Sequence, residues 1–184
     1  AFASAKFADV PSTHGAYEEI SYLVSAGVIK GYTEKGKQLY KPNATVTRGQ
    51  AAKMVVVATK NKPVTVKKSS FSDVTVGTEL SGYVESAVKL GFISEKSNGK
   101  FGPNTPLTRD EMSKSLAIAF NLNTDQTAKL ALPFNDISPT NSFYSYIAAI
   151  YYNGITVDAE KYNPKDPVKR SQFASFVARA SSDN

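Results

Sequence analysis

One pattern occurs three times along the 184 residues of this chain. Phe7-Ala8-Asp9-Val10 returns as Phe71-Ser72-Asp73-Val74 and again as Phe134-Asn135-Asp136-Ile137. Each Asp is followed 18 positions later by a Gly (9 to 27, 73 to 91, 136 to 154). After the Gly come Val28-Ile29, Phe92-Ile93 and Ile155-Thr156. Next stands an aromatic-x-Pro unit, Tyr40-Lys41-Pro42, Phe101-Gly102-Pro103 and Tyr162-Asn163-Pro164, and eight positions past each aromatic an Arg (40 to 48, 101 to 109, 162 to 170). Both spacings are constant, and length varies only between the Gly and the aromatic. Such self-similarity marks a supersecondary unit that cannot bury its apolar face alone and closes it against its neighbours.

The interior of each copy reads as helix. Positions 10, 7, 4 and 3 before the Gly carry Tyr17, Ile20, Leu23 and Val24; Ser81, Val84, Ala87 and Val88; Tyr144, Ile147, Ile150 and Tyr151. Spacings of three and four place these side chains on one helical face. The Gly falls where a helix ends through a left-handed residue. A second helix is expected to open at the Arg. Thr47-Arg48-Gly49-Gln50 and Thr108-Arg109-Asp110-Glu111 both fit the capping box, in which the Thr hydroxyl and the Gln or Glu side chain satisfy free amides reciprocally. Apolar or small residues follow at three, four and seven past the Arg: Ala51, Ala52, Val55; Met112, Ser113, Leu116; Phe173, Ala174, Val177. Residues 61–70 and 121–133 are polar or proline-bearing and read as connectors. A helical pair of about 60 residues is marginal alone. The expected fold is therefore mainly α: a pseudo-three-fold assembly of three helix-loop-helix repeats, at approximately 6–60, 70–120 and 133–180, sharing one core.

Composition removes most catalytic classes. With 41% hydrophobic and 21% charged residues the chain can bury a core. No apolar run reaches the roughly 18 residues that a membrane-spanning helix needs. The absence of Cys excludes disulfides, thiolate metal sites and a cysteine nucleophile, and the single His14 excludes a multi-histidine metal site. No Gly-rich phosphate loop, HExxH or GxSxG occurs. Glu18-Glu19 and Asp110-Glu111 are adjacent and point apart on a helix, unlike a facing acid–base couple. No enzyme, cofactor or metal is expected. A net charge of +6 suits an acidic partner without naming one. Ala3-Ser4-Ala5 has the small-x-small form of a signal-peptidase site, or is simply an alanine-rich terminus.

With these residues laid out, the chain resembles the S-layer homology (SLH) family. The family's hallmarks are an F-x-D-V opening, a helix ending in G-[VI]-I-x-G, an F-x-P turn and a T-R-A-E-A-A helix start. The likeness runs from Phe7 to about Ala180, so that residues 1–184 read as one triplet domain. It implies a three-pronged spindle around a central helical bundle. It further implies a non-catalytic anchor on a secreted protein of the Gram-positive cell wall or S-layer, holding a secondary cell-wall polysaccharide without covalent bonds. The polysaccharide typically carries pyruvate ketals on N-acetylmannosamine, and the grooves between neighbouring motifs are the sites. The chain departs from T-R-A-E: only the second copy keeps the acid, and Lys169-Arg170-Ser171-Gln172 also lacks the Thr. The second glycine of G-x-x-x-G survives only as Gly31, with Glu95 and Asp158 in the other copies.

The candidate polysaccharide-binding residues are Arg48, Arg109, Arg170, Asp9, Asp73, Asp136, Gly31, Tyr32, Lys53 and Lys114. Each Arg lies in the first turn of a helix, where the macrodipole disfavours a cation. One reading is that it grips a carboxylate beside free helix amides; the other is that it pairs with an acidic residue of the protein, such as Asp9, Asp73 or Asp136, and locks repeats together. The Asp residues either meet sugar hydroxyls or cap a helix. Lys53 and Lys114, five residues past an Arg, either serve the ligand or form a solvated helix face. Gly31 serves backbone geometry at a loop near the sugar, and Tyr32 either belongs to the core or stacks on a pyranose. Of the three copies, the third is expected to contribute least. Two rivals remain to the anchor reading: a protein–protein assembly module of a surface layer, and a basic nucleic-acid-binding module. The chain is also expected to be part of a longer protein, with Ser181-Ser182-Asp183-Asn184 as a polar linker to a cargo.

Overall fold

The computed structural model describes residues 7–182, so the Ala3-Ser4-Ala5 motif lies outside the described residues. The first repeat contains α1 (Tyr17–Ser25), a hairpin of β1 (Tyr32–Glu34) and β2 (Lys37–Leu39), and α2 (Arg48–Ala58). The second holds α3 (Glu79–Lys89) and α4 (Arg109–Ala119). A one-turn helix, α5 (Thr124–Thr127), precedes α6 (Tyr144–Tyr152) and α7 (Arg170–Ser182) of the third. The chain is mainly helical.

The helices form where the pattern places them. Ile20 and Leu23, Val84 and Ala87, and Ile147 and Ile150 are each fully buried on the expected faces. Gly27, Gly91 and Gly154 end the three first helices at φ of 74°, 80° and 74°, a left-handed conformation that costs a residue with a Cβ. Each second helix begins at its Arg. Thr47 and Gln50 complete the capping box of α2. In α4, Glu111 accepts the Thr108 amide at 3.1 Å. In α7 half the device survives without the Thr, since Gln172 accepts the Lys169 amide at 2.9 Å.

Two local elements go beyond the sequence reading. The longest Gly-to-aromatic loop, in the first repeat, folds into the β1–β2 hairpin, with Tyr32 opposite Leu39 and Glu34 opposite Lys37. The connector at 121–133 contains α5, capped by the Asn123 side chain on the Gln126 amide at 3.1 Å. One expectation is also corrected. Ser181 and Ser182 belong to α7, not to a linker, because the helix continues through them and the Ser181 hydroxyl bonds back to the Val177 carbonyl.

The repeats interlock. Helices α2, α4 and α7 meet one another, and each packs on the first helix of another repeat: α2 on α3, α4 on α6, α7 on α1. One continuous cluster of buried residues draws on all three repeats. Just before the second helices, Val46 donates its amide to the Val168 carbonyl (2.8 Å), Val168 to Leu107 (2.9 Å), and Leu107 back to Val46 (3.0 Å). These three bonds close a ring.

Candidate functional site

The Arg of each repeat reaches into the aromatic-x-Pro turn of another. Arg48 donates Nε to the Phe101 carbonyl at 2.9 Å, Arg109 to Tyr162 at 2.7 Å and Arg170 to Tyr40 at 2.8 Å. Each guanidinium also lies over the ring of that same aromatic, at 4.8, 4.4 and 4.4 Å from the centroid. The first amides of each second helix go to the same turn: Arg48 and Gly49 donate to Thr105 and Pro103, Arg109 and Asp110 to Asp166 and Pro164, Arg170 and Ser171 to Ala44 and Pro42. Free helix-start amides are thus satisfied by a neighbouring repeat. The cation at the unfavourable end of the dipole is compensated by a carbonyl and a ring face.

The three Asp side chains complete the arrangement from the other side. Asp9 accepts the amides of Tyr40 and Lys41, Asp73 those of Phe101 and Gly102, and Asp136 those of Tyr162 and Asn163, all between 2.8 and 2.9 Å. Asp and Arg therefore converge on one aromatic residue, but they do not pair. Ion pairs of these Arg with Asp9, Asp73 or Asp136 are absent among the described residues, because both carboxylate oxygens hold the turn; the acid that meets an Arg across repeats is Glu111, at Arg48. Burial works against charge on Asp73 and Asp136, yet the amides of Phe101 and Gly102, and of Tyr162 and Asn163, hold both carboxyls below the usual range. Burial pushes the Tyr40 and Tyr162 phenols up to about 12, against the opposing influence of Arg170 and Arg109.

Two grooves lie where these contacts meet the loop after the helix-stopping Gly. The first, of about 180 Å³, is lined by Val28 to Tyr32, Gln50, Lys53 and Met54 of the first repeat and by Arg170 of the third. Of the candidate residues it unites Gly31, Tyr32, Lys53 and Arg170. Gln50 donates to the Tyr32 hydroxyl at 2.7 Å, and Lys41 Nζ and the Arg170 guanidinium lie over the Tyr32 ring at 4.4 and 5.1 Å from its centroid. Lys53 meets Glu79 at 2.6 Å in a solvent-facing pair. Gly31 is required by close approach, since a Cβ there would lie 2.3 Å from the Phe7 ring and 2.4 Å from the Leu39 carbonyl oxygen.

The second groove, of about 370 Å³, is built from the matching positions one repeat on. Phe92 to Lys96, Glu111 and Lys114 come from the second repeat, Arg48 from the first, and Phe143 and Lys165 from the third. It holds Arg48 and Lys114 of the candidates. Arg48 is 1% exposed and fully engaged: beyond Phe101, its terminal nitrogens bond the Glu111 carboxylate and the Ser94 carbonyl. Lys114 donates to the Ser94 hydroxyl at 2.8 Å, and Lys165 pairs with the buried Asp110 at 2.8 Å. Burial, then the nearby charges of Arg48 and Lys165, lower the Lys96 ammonium. Lys30, Gln50 and Lys96 line these grooves although sequence reasoning did not single them out. Lys30 carried a signal, since it fills the x of Gly27-Val28-Ile29-Lys30-Gly31. Arg109 joins the turn of the third repeat and lies apart from both grooves.

The chain is thus mainly helical, built of three interlocked repeats with cation-bearing grooves at two of their junctions. The S-layer homology domain model matches it at residues 6–52, 70–113 and 133–174. The chain belongs to the S-layer homology domain family. It is 31% identical over 182 residues to an S-layer protein of Bacillus thuringiensis subsp. finitimus, and 31% identical over 181 residues to S-layer protein sap of Bacillus anthracis. In both cases 97% of this chain aligns with 22% of the relative, so the chain spans about a fifth of their length. An uncharacterized cell wall amidase of Bacillus anthracis shares 26% identity over 175 residues, 94% of this chain and 31% of that protein. Family and relatives place the chain at the cell surface, in the wall or S-layer of a Gram-positive bacterium. Among the described residues no helix is long and apolar enough to cross a membrane.

Proposed function

We propose that this chain is a non-catalytic anchor domain that holds a surface protein to the cell wall by binding a pyruvylated secondary cell-wall polysaccharide in the grooves between repeats. The three repeats act as one domain, a pseudo-three-fold spindle around α2, α4 and α7; the closed Val46–Val168–Leu107 ring supports this reading. The observation that carries the functional reading is the first groove, where Lys30, Lys53 and Arg170 stand with the half-buried Tyr32 and no carboxylate lines the wall. The ketal carboxylate of the sugar offers these cations an anion for charge-assisted bonds. Arg170, Lys30, Gly31, Tyr32, Gln50 and Lys53 are the proposed contacts there, while Arg48 and Lys114 line the second groove, where Arg48 is already bonded to Glu111. Arg109 and the three Asp residues shape the turns that frame the grooves.

The same module aligning with S-layer proteins and with a protein named as a wall amidase fits an anchor that serves different cargoes. Binding to purified sacculi, compared before and after hydrofluoric acid removes the polysaccharide, tests the proposal. Retention on intact sacculi and loss on stripped ones is expected; equal binding to both would overturn it. A pure assembly module would ignore the sacculi and bind only its own kind.

A further inference from the structure

The three Arg residues are alike in backbone setting but differ in what neutralises them. Arg48 meets Glu111, whose Oε2 takes the guanidinium while Oε1 holds the Thr108 amide of its own helix cap. The residue matching Glu111 beside Arg170 is Gln50, which closes the same capping box but brings no charge. Among the described residues Arg170 has no ion pair, and its hydrogen bond runs from Nε alone. The walls differ in the same sense. Around Arg170 stand Lys30 and Lys53 with no lining carboxylate; Glu79 pairs with Lys53 and also interacts with Lys30 from outside the lining. Around Arg48 stand Lys96, Lys114 and Lys165, but Glu95, Asp110 and Glu111 offset them. At the third junction, Val157 and Asp158 occupy the places of Lys30 and Gly31, Ser175 that of Lys53, and Asp158 holds the Tyr151 hydroxyl.

From these contacts we infer that the junctions are not equivalent: the Arg170 groove is the tight anion site, and Glu111 is a specificity-determining residue that closes the Arg48 groove to an anionic ligand. An incoming carboxylate at Arg48 must displace a carboxylate already bound there and meets the repulsion of three acids. At Arg170 it meets three cations, of which Lys53 is already paired, and a neutral amide. Loss of the acid from the helix start therefore strengthens a junction, and the third repeat, whose start is furthest from the family pattern, supplies the decisive Arg.

This inference rests on the polysaccharide reading above, and the test separates the two. Titration calorimetry and amide-resolved NMR of the full chain would use a methyl glycoside of N-acetylmannosamine bearing a pyruvate ketal. One tight site is expected, with shifts at Val28 to Tyr32. Gln50→Glu and Glu111→Gln both retain the capping box, as the natural chain shows by using each residue once. Gln50→Glu should weaken the tight site about tenfold or more, the worth of one charge-assisted contact. Glu111→Gln should add a second site, with new shifts at Ile93 to Lys96. Lys30→Gln, an exposed change outside the fold's contacts, should weaken the first site alone. Tight binding at Ile93 to Lys96 in the natural chain, or a Glu111→Gln variant with no second site, would overturn the inference and leave the polysaccharide reading intact. No binding of this sugar by any variant would overturn both.

Discussion

The aromatic of each turn carries three loads: its amide is held by an Asp, its carbonyl by an Arg, and its ring lies beneath the same Arg. In two copies it is also a Tyr whose hydroxyl is buried. Tyr40 donates to the Arg170 carbonyl at 3.1 Å, and Tyr162 shares a hydrogen bond with Ser113. Burial raises both phenols from 10.0 to about 12, so the folded state favours the protonated form more than the unfolded state does. Their contribution is whole below pH 10 and is lost as pH rises toward 12. At pH 11 each phenol should have given up on the order of 1 kcal/mol. Thermal melts from pH 9 to 11.5 should show a steeper alkaline loss for the natural chain than for a Tyr40→Phe, Tyr162→Phe variant. Phe101 shows that the site accepts a ring without the hydroxyl. Parallel curves would show that these phenols are not desolvated in solution.

At the scale of elements, what local chemistry decides was legible and what distant partners decide was not. The six repeat helices, their glycine stops and the two Thr-based caps follow from spacing and from residues three apart, and they stand where the pattern puts them. The Arg partners did not follow, because a carbonyl carries no side-chain signature; Phe101 lies 53 residues from Arg48, and Tyr40 lies 130 from Arg170. Constancy of the aromatic-to-Arg spacing across copies of differing loop length was the available hint. Gly31 shows the same division. Its sequence context marked it as special, yet the reason lies in Phe7 and Leu39, which close over it. A methyl at this position must push a ring aside and meets a backbone oxygen that cannot yield cheaply. Gly31→Ala should therefore destabilise by about 1–3 kcal/mol, read as a lowered denaturation midpoint. Amide shifts should be confined to residues 7–9 and the β1–β2 hairpin. A variant with an unchanged midpoint would show that the hairpin moves freely against Phe7.

For the molecule as a whole, the order of packing decides how stability is shared. In a linear solenoid each repeat touches only its neighbours, and removing a terminal one costs a single interface. Here α1 of the first repeat packs on α7 of the third, α4 of the second packs on α6 of the third, and Leu107, Val168 and Val46 pass one hydrogen bond around. Removing residues 121–184 would uncover α1 and α4 together. It would leave the helix-start amides of Arg109 and Asp110 without Asp166 and Pro164, and it would open the ring at two of its three bonds. Fully buried Ile20, Leu23, Met112 and Leu116 would face solvent. Each costs about 1.5–3 kcal/mol when exposed, and four such residues rival the roughly 5–15 kcal/mol that stabilises a whole domain. The 1–120 fragment should thus lack a cooperative thermal transition and show collapsed amide dispersion, while the full chain melts in one step. A fragment that melts cooperatively near the parent temperature would mean that the repeats stand alone and that the ring adds little to their folding.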